Sequence, residues 1–152
     1  MNHVYVLMFR DKGIPKALRA DGTEEVMSES ALSRLERMTL LNGSTLRGRT
    51  DAVRQLTGWK QKLPVLISER TQEIWFPLIS PEDPECIWVC SGHIIKASET
   101  APGCTEILFS SGYRTTVNAG VRTVRKQMER CRTLRDLLNE NAEKNKPAGL
   151  LD

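Results

Sequence analysis

At 152 residues, 39% hydrophobic and 27% charged, the chain has the size and composition of one globular domain that buries a single core. The N-terminal apolar run Val4 to Phe9 has no basic flank and is too short for a signal sequence or a membrane span, so a soluble, cytoplasmic protein is expected. Cys86, Cys90, Cys104 and Cys131 are expected as reduced thiols without a structural disulfide.

The net charge of +3 is too small to argue for a polyanionic partner, but its placement is uneven. From Arg47 to Lys62 five cations face one carboxylate, Asp51. From Arg114 to Arg135 seven cations face Glu129 alone, and from Glu82 to Glu106 five carboxylates face only Lys96. Two basic segments around an acidic one suit a polarised molecule with one face for phosphates, although solvated surface charge produces the same composition.

In chain order, Val4 to Phe9 reads as a strand, closed by the turn residues Asp11, Lys12 and Gly13. Leu32, Leu35, Met38 and Leu41 recur at helical spacing, which predicts a helix over 28–41 with Ser28 or Ser30 as N-cap and Gly43 just past its end. Gly43 to Arg49, with two glycines and two hydroxyl residues, is predicted as a loop, followed by a short helix from a Thr50 cap to about Thr57, closed by Gly58.

Leu63 to Ser68 and Glu73 to Leu78 form a predicted hairpin around the polar residues 69–72. Cys86 to Ala97, Thr105 to Phe109 and Tyr113 to Val117 are further predicted strands, the last two joined by Ser110-Ser111-Gly112. Near Asn118 the period changes. Val121, Val124, Met128, Cys131, Leu134, Leu137 and Leu138 fall three or four apart with arginines between them, an amphipathic helix over about 119–140 with Asn118 as N-cap. The expected fold is therefore α+β, an antiparallel meander of about five strands with a long C-terminal amphipathic helix, in a single domain over 1–144 with a tail at 145–152.

Catalytic chemistry finds little support. Cys86, Cys90, His93 and Cys104 include zinc-ligand atoms, but a three-residue gap on a strand separates the thiols, so no metal is expected. His3 and His93 sit in no nucleophile motif, neither a dinucleotide-binding nor a complete phosphate-loop glycine pattern is present, and no cofactor or enzymatic activity is expected. Trp75 and Trp88 lie inside strands and are expected in the core rather than stacked on bases.

The run Gly43-Ser44-Thr45-Leu46-Arg47-Gly48-Arg49, then Lys62-Leu63-Pro64-Val65-Leu66-Ile67, Ile74-Trp75-Phe76-Pro77 and Ser80-Pro81, is similar to the central region of the competence transcription factor (ComK) family. Cys86-Ile87-Trp88 with His93 five residues on, and Ser110-Ser111-Gly112, continue the resemblance in order. It covers residues 36–117 well, the amphipathic helix more loosely and the region before Glu36 poorly. The resemblance implies a dimeric transcription activator that binds AT-rich double-stranded promoter DNA through the minor groove, as paired dimers, and helps RNA polymerase start transcription of DNA-uptake genes. The chain stops at Asp152, short of the C-terminal extension through which family members meet a proteolytic adaptor. A shortened paralogue that binds DNA without activating is thus one alternative. A non-catalytic RNA- or protein-binding module using the basic C-terminal helix is another.

For minor-groove reading, arginines on a flexible loop suit a narrow, strongly negative groove. Arg47 and Arg49, on a loop supported by Gly43, Ser44 and Gly48, are the expected readers. Lys60, Lys62, Arg122, Arg125 and Lys126 are the expected phosphate contacts, which hold register without reading sequence.

Overall fold

The computed structural model describes residues 4–144; the tail expected at 145–152 lies outside them. Among the described residues, nine strands and three α-helices form one α+β domain. The order is β1 (Tyr5–Asp11), β2 (Ile14–Arg19), β3 (Glu24–Val26), α1 (Ala31–Leu41), α2 (Leu46–Thr57), β4 (Val65–Ser68), β5 (Glu73–Pro77), β6 (Trp88–Cys90), β7 (Ile94–Ala101), β8 (Cys104–Phe109), β9 (Arg114–Val117) and α3 (Val121–Lys144).

The strands make two antiparallel sheets rather than one meander of five. Six of them pair in the order β3-β2-β1-β6-β5-β4, and β7-β8-β9 form a second sheet. The segment expected as one strand from Cys86 to Ala97 is broken by a 3₁₀ turn at Ser91–His93, which carries the chain from one sheet to the other. The six-stranded sheet also takes in β1, β2 and β3, upstream of the predicted hairpin.

Side chains alternate across a strand, and both faces of the large sheet are covered. On one face Met8, Ala17, Val65, Trp75 and Trp88 pack with Leu35 of α1 and Leu46 of α2. On the other, Val6, Ile74, Phe76 and Val89 pack with Ile107 and Phe109 of the small sheet and Val124, Cys131 and Leu134 of α3. Trp75 and Trp88 are core residues, as expected.

The expected helix of the C-terminal segment is α3. Its first turn closes on Gly120, whose carbonyl accepts from the Val124 N–H at 3.2 Å, so Asn118 lies two residues ahead of the cap position rather than in it. In α1 the cap is Ser30, whose hydroxyl accepts from the Ser33 N–H at 3.1 Å.

The two helices α1 and α2 are joined by only Asn42 to Thr45. Gly43, at φ +82°, takes the left-handed C′ position. Its N–H donates to the Leu40 carbonyl and the Ser44 N–H to that of Thr39, each at 3.0 Å, the bond pattern of a Schellman turn. Thr45 then caps α2, accepting from the Gly48 N–H at 2.9 Å.

Candidate nucleic-acid interface

The expected loop at 43–49 ends at Thr45; Leu46, Arg47, Gly48 and Arg49 belong to the first turn and a half of α2. The physical reason is the threonine cap at Thr45, five residues ahead of the expected one. Thr50, expected as the cap, is already helical and its hydroxyl bonds back to the Leu46 carbonyl at 2.8 Å. Gly48 does not flex a loop. A Cβ there would meet the Thr45 hydroxyl at 3.0 Å, so the missing side chain makes room for the cap.

Helical geometry separates the two arginines. Residues two apart on a helix project about 200° from one another, so Arg47 and Arg49 do not share a face. Arg47 is exposed. The Arg49 side chain is only 13% exposed and lies 3.7 Å from Glu69 on the β4–β5 turn, with its Nε buried and without a hydrogen-bond partner.

Arg47, Lys60 and Lys62 do converge. They line one open cleft of about 750 Å³, floored by Leu46, Leu63, Val65 and Trp88. Arg54 is a fourth cation in its lining, paired with Asp51 at 3.2 Å, and Glu36 and Glu82 add carboxylates to the same lining. The Arg47, Lys60 and Lys62 side chains have no hydrogen-bonding or ionic partner among the described residues. Unpaired cations on a concave surface concentrate positive potential where an anionic ligand can enter.

Helix α3 fixes one edge of this cleft. Gln127, buried, donates from Nε2 to the carbonyls of Lys62 and Pro77, each at 2.8 Å. Arg130 donates to the Gln61 carbonyl at 2.9 Å and its guanidinium lies 4.6 Å from the centre of the Trp59 ring. These bonds hold Lys62 in a left-handed backbone conformation, φ +52°.

The three expected contacts on α3 lie outside the cleft lining. Arg122 and Lys126 are exposed and precede Arg130 at successive four-residue steps, so a basic stripe runs along α3 to the 59–62 segment. Arg125 falls on the opposite flank, where Nε and Nη2 donate to the Ala97 carbonyl of β7 at 3.2 and 2.8 Å. Sequence reasoning missed Arg54, Gln127 and Arg130. The spacing of Gln127 and Arg130 within α3 shows which flank they occupy, but not that residues 61 and 62 lie against it.

Cys86, Cys90 and Cys131 are buried thiols, and burial pushes Cys90 and Cys131 up to about 12. Among the described residues no group of three or more His, Cys, Asp or Glu side chains is gathered for a metal ion, and no helix is long and apolar enough to cross a membrane.

The ComK protein family matches residues 11–143 of the chain. The chain belongs to the ComK family. No curated protein and no solved structure matches it. The ComK match reaches well before Glu36, where the resemblance in the bare sequence ran out, and so takes in β2 to β6 of the six-stranded sheet and the cleft, while all of β1 but Asp11 lies ahead of it. The ComK family is a family of competence transcription factors.

Proposed function

We propose that this ComK-family chain regulates transcription by binding A·T-rich duplex DNA at the α1–α2 cleft, with Arg47 entering the minor groove and Lys60 and Lys62 on the flanking phosphates. The observation that carries this reading is the convergence of three unpartnered cations on one cleft from two separate segments, α2 and the 60–62 loop. The minor groove of an A·T tract is narrow and strongly negative, and a guanidinium fits it better than an ammonium. Arg122 and Lys126 extend the phosphate contacts along α3. Arg49 does not read DNA in this account; it braces α2 against the β4–β5 turn.

Two dimers on neighbouring tracts, paired to help RNA polymerase start transcription, complete the proposal at the level of the family. The exposed Arg122 and Lys126 also favour a second reading, an RNA- or protein-binding surface on α3 with no preference for A·T duplex. Filter binding to A·T-tract duplex, G·C duplex and structured RNA at one fixed salt concentration separates the two. The DNA reading expects the A·T duplex to bind tightest, and equal retention of all three supports the second.

A further inference from the structure

The α1 wall of the cleft ends in an apolar tip. Leu32 and Glu36 both line the cleft, and Leu40 follows them at the same four-residue step, one turn nearer the α1–α2 corner. Leu40 is 63% exposed and its neighbour Leu41 78% exposed. A single exposed leucine needs no explanation. Leu40 differs in position: it stands one four-residue step beyond the lining residues Leu32 and Glu36, and only the four-residue turn separates α1 from the helix that bears Arg47. The Schellman bonds of Gly43 and Ser44 fasten the end of α1 through the Leu40 and Thr39 carbonyls, so the tip is rigid rather than frayed.

We infer that Leu40 is a wedge that inserts between two base pairs of the bound duplex from the minor-groove side; this rests on the cleft being the DNA site. Proteins that enter the minor groove combine a cation in the groove with an apolar side chain that partly unstacks a base step. Here Arg47 supplies the cation and Leu40 the apolar side chain. Pyrimidine–purine steps unstack most easily, so the wedge selects a T-A step within the A·T tract, a preference no hydrogen bond to a base edge provides. Leu41, about 100° round the helix, lies off the cleft stripe and takes no part.

The test uses an A·T-tract duplex with 2-aminopurine at a central T-A step, titrated with the full chain and with Leu40→Ala, Leu40→Met and Leu41→Ala. Both leucines are exposed, so the variants are expected to keep the wild-type melting temperature. The expected result is a rise in 2-aminopurine fluorescence on binding of the wild-type chain, retained by Leu40→Met and Leu41→Ala and lost with Leu40→Ala. Saturated binding by Leu40→Ala with the fluorescence rise intact overturns the wedge and leaves the DNA reading standing. A Leu40→Ala change in sedimenting mass with the rise intact reassigns the leucine to a contact between copies and equally overturns it. Failure of the wild-type chain to bind the duplex removes the underlying DNA reading and the wedge with it.

Discussion

The buried amide of Gln127 in α3 donates to the carbonyl oxygen of Lys62 at 2.8 Å, sixty-five residues away in sequence. One side chain thus ties the longest helix to the segment that presents two of the three free cleft cations. Because Nε2 also reaches the Pro77 carbonyl, Gln127→Leu withdraws both donor contacts at once. The expected loss is about 1 to 3 kcal/mol, chiefly from the Pro77 carbonyl deprived of this donor, since the Lys62 carbonyl still accepts from Arg130 at 3.3 Å. Urea unfolding monitored by tryptophan fluorescence measures it. An unchanged midpoint would show that the amide does not fasten this edge.

Glu29 gives the fold an acid limit. Hydrogen bonding by Arg37 first, and by Arg34, holds its carboxyl down at about 2, against the partial desolvation that opposes them. Glu25 is also held low, chiefly by the Tyr5 hydroxyl and Arg34. A carboxylate whose folded-state pKa is depressed contributes stability above its unfolded value, and that contribution is lost as pH falls toward the folded one. The stability of the wild-type chain is therefore expected to fall between about pH 4.5 and pH 2, and Glu29→Gln should flatten part of that fall. Urea midpoints taken from pH 6 down to pH 2.5 check it; parallel curves for the two proteins would contradict the assignment.

The four thiols are expected to react in order of burial. The thiolate is the reactive form, and burial raises Cys86 and pushes Cys90 and Cys131 to about 12. Cys104, at the start of β8, is only partly buried. Iodoacetamide at pH 8 followed by peptide mass analysis should therefore modify Cys104 first in the folded protein, and all four in urea. Early labelling of Cys90 or Cys131 would be inconsistent with the packing around β6 and α3.

Much of this fold was legible from local pattern alone. The period of α3, the Ser30 cap and the hairpin around residues 69–72 are local signals, and local chemistry decides them. Strands β2 and β3 are different. Ile14-Pro-Lys-Ala-Leu-Arg and Glu24-Glu-Val have neither alternation nor strong strand propensity; pairing with β1 holds β2 extended, and pairing with β2 holds β3. The break at Ser91–His93 carries a local signal, since Ser91-Gly92-His93 interrupts the apolar residues on either side, but the change of sheet made there is a tertiary decision. At the site, charge density pointed to residues 47–62, but which arginine faces the cleft depended on where α2 begins. A cap at Thr45 instead of Thr50 turns a flexible arginine pair into two residues on different helix faces.

That difference makes Arg49 a useful control. Its Nε is buried without a partner and its only ion pair among the described residues is with an exposed Glu69 at 3.7 Å, an arrangement worth little to stability. Arg49→Met keeps the packed stem and removes the orphaned donor. Its expected effect is an unfolding midpoint no lower than wild type and an A·T-duplex affinity within about twofold of wild type once the lost charge is screened by salt. Calorimetric melting and filter binding on the same preparation measure both. A selective loss of A·T binding would return Arg49 to the reading role.

Arg47 tests the central claim most directly. Equilibrium binding of the wild-type chain and Arg47→Ala to an A·T-tract duplex and a G·C duplex of equal length, at one fixed salt concentration, compares reading with holding. If Arg47 enters the minor groove, the substitution weakens A·T binding by about 1 to 3 kcal/mol and G·C binding much less, so discrimination falls. Lys62→Ala, as a phosphate contact, weakens both alike and makes the slope of log K against log[salt] shallower by about 0.9. Equal losses on the two duplexes for Arg47→Ala, or no loss on either, would contradict the account of the cleft as the site where A·T sequence is read.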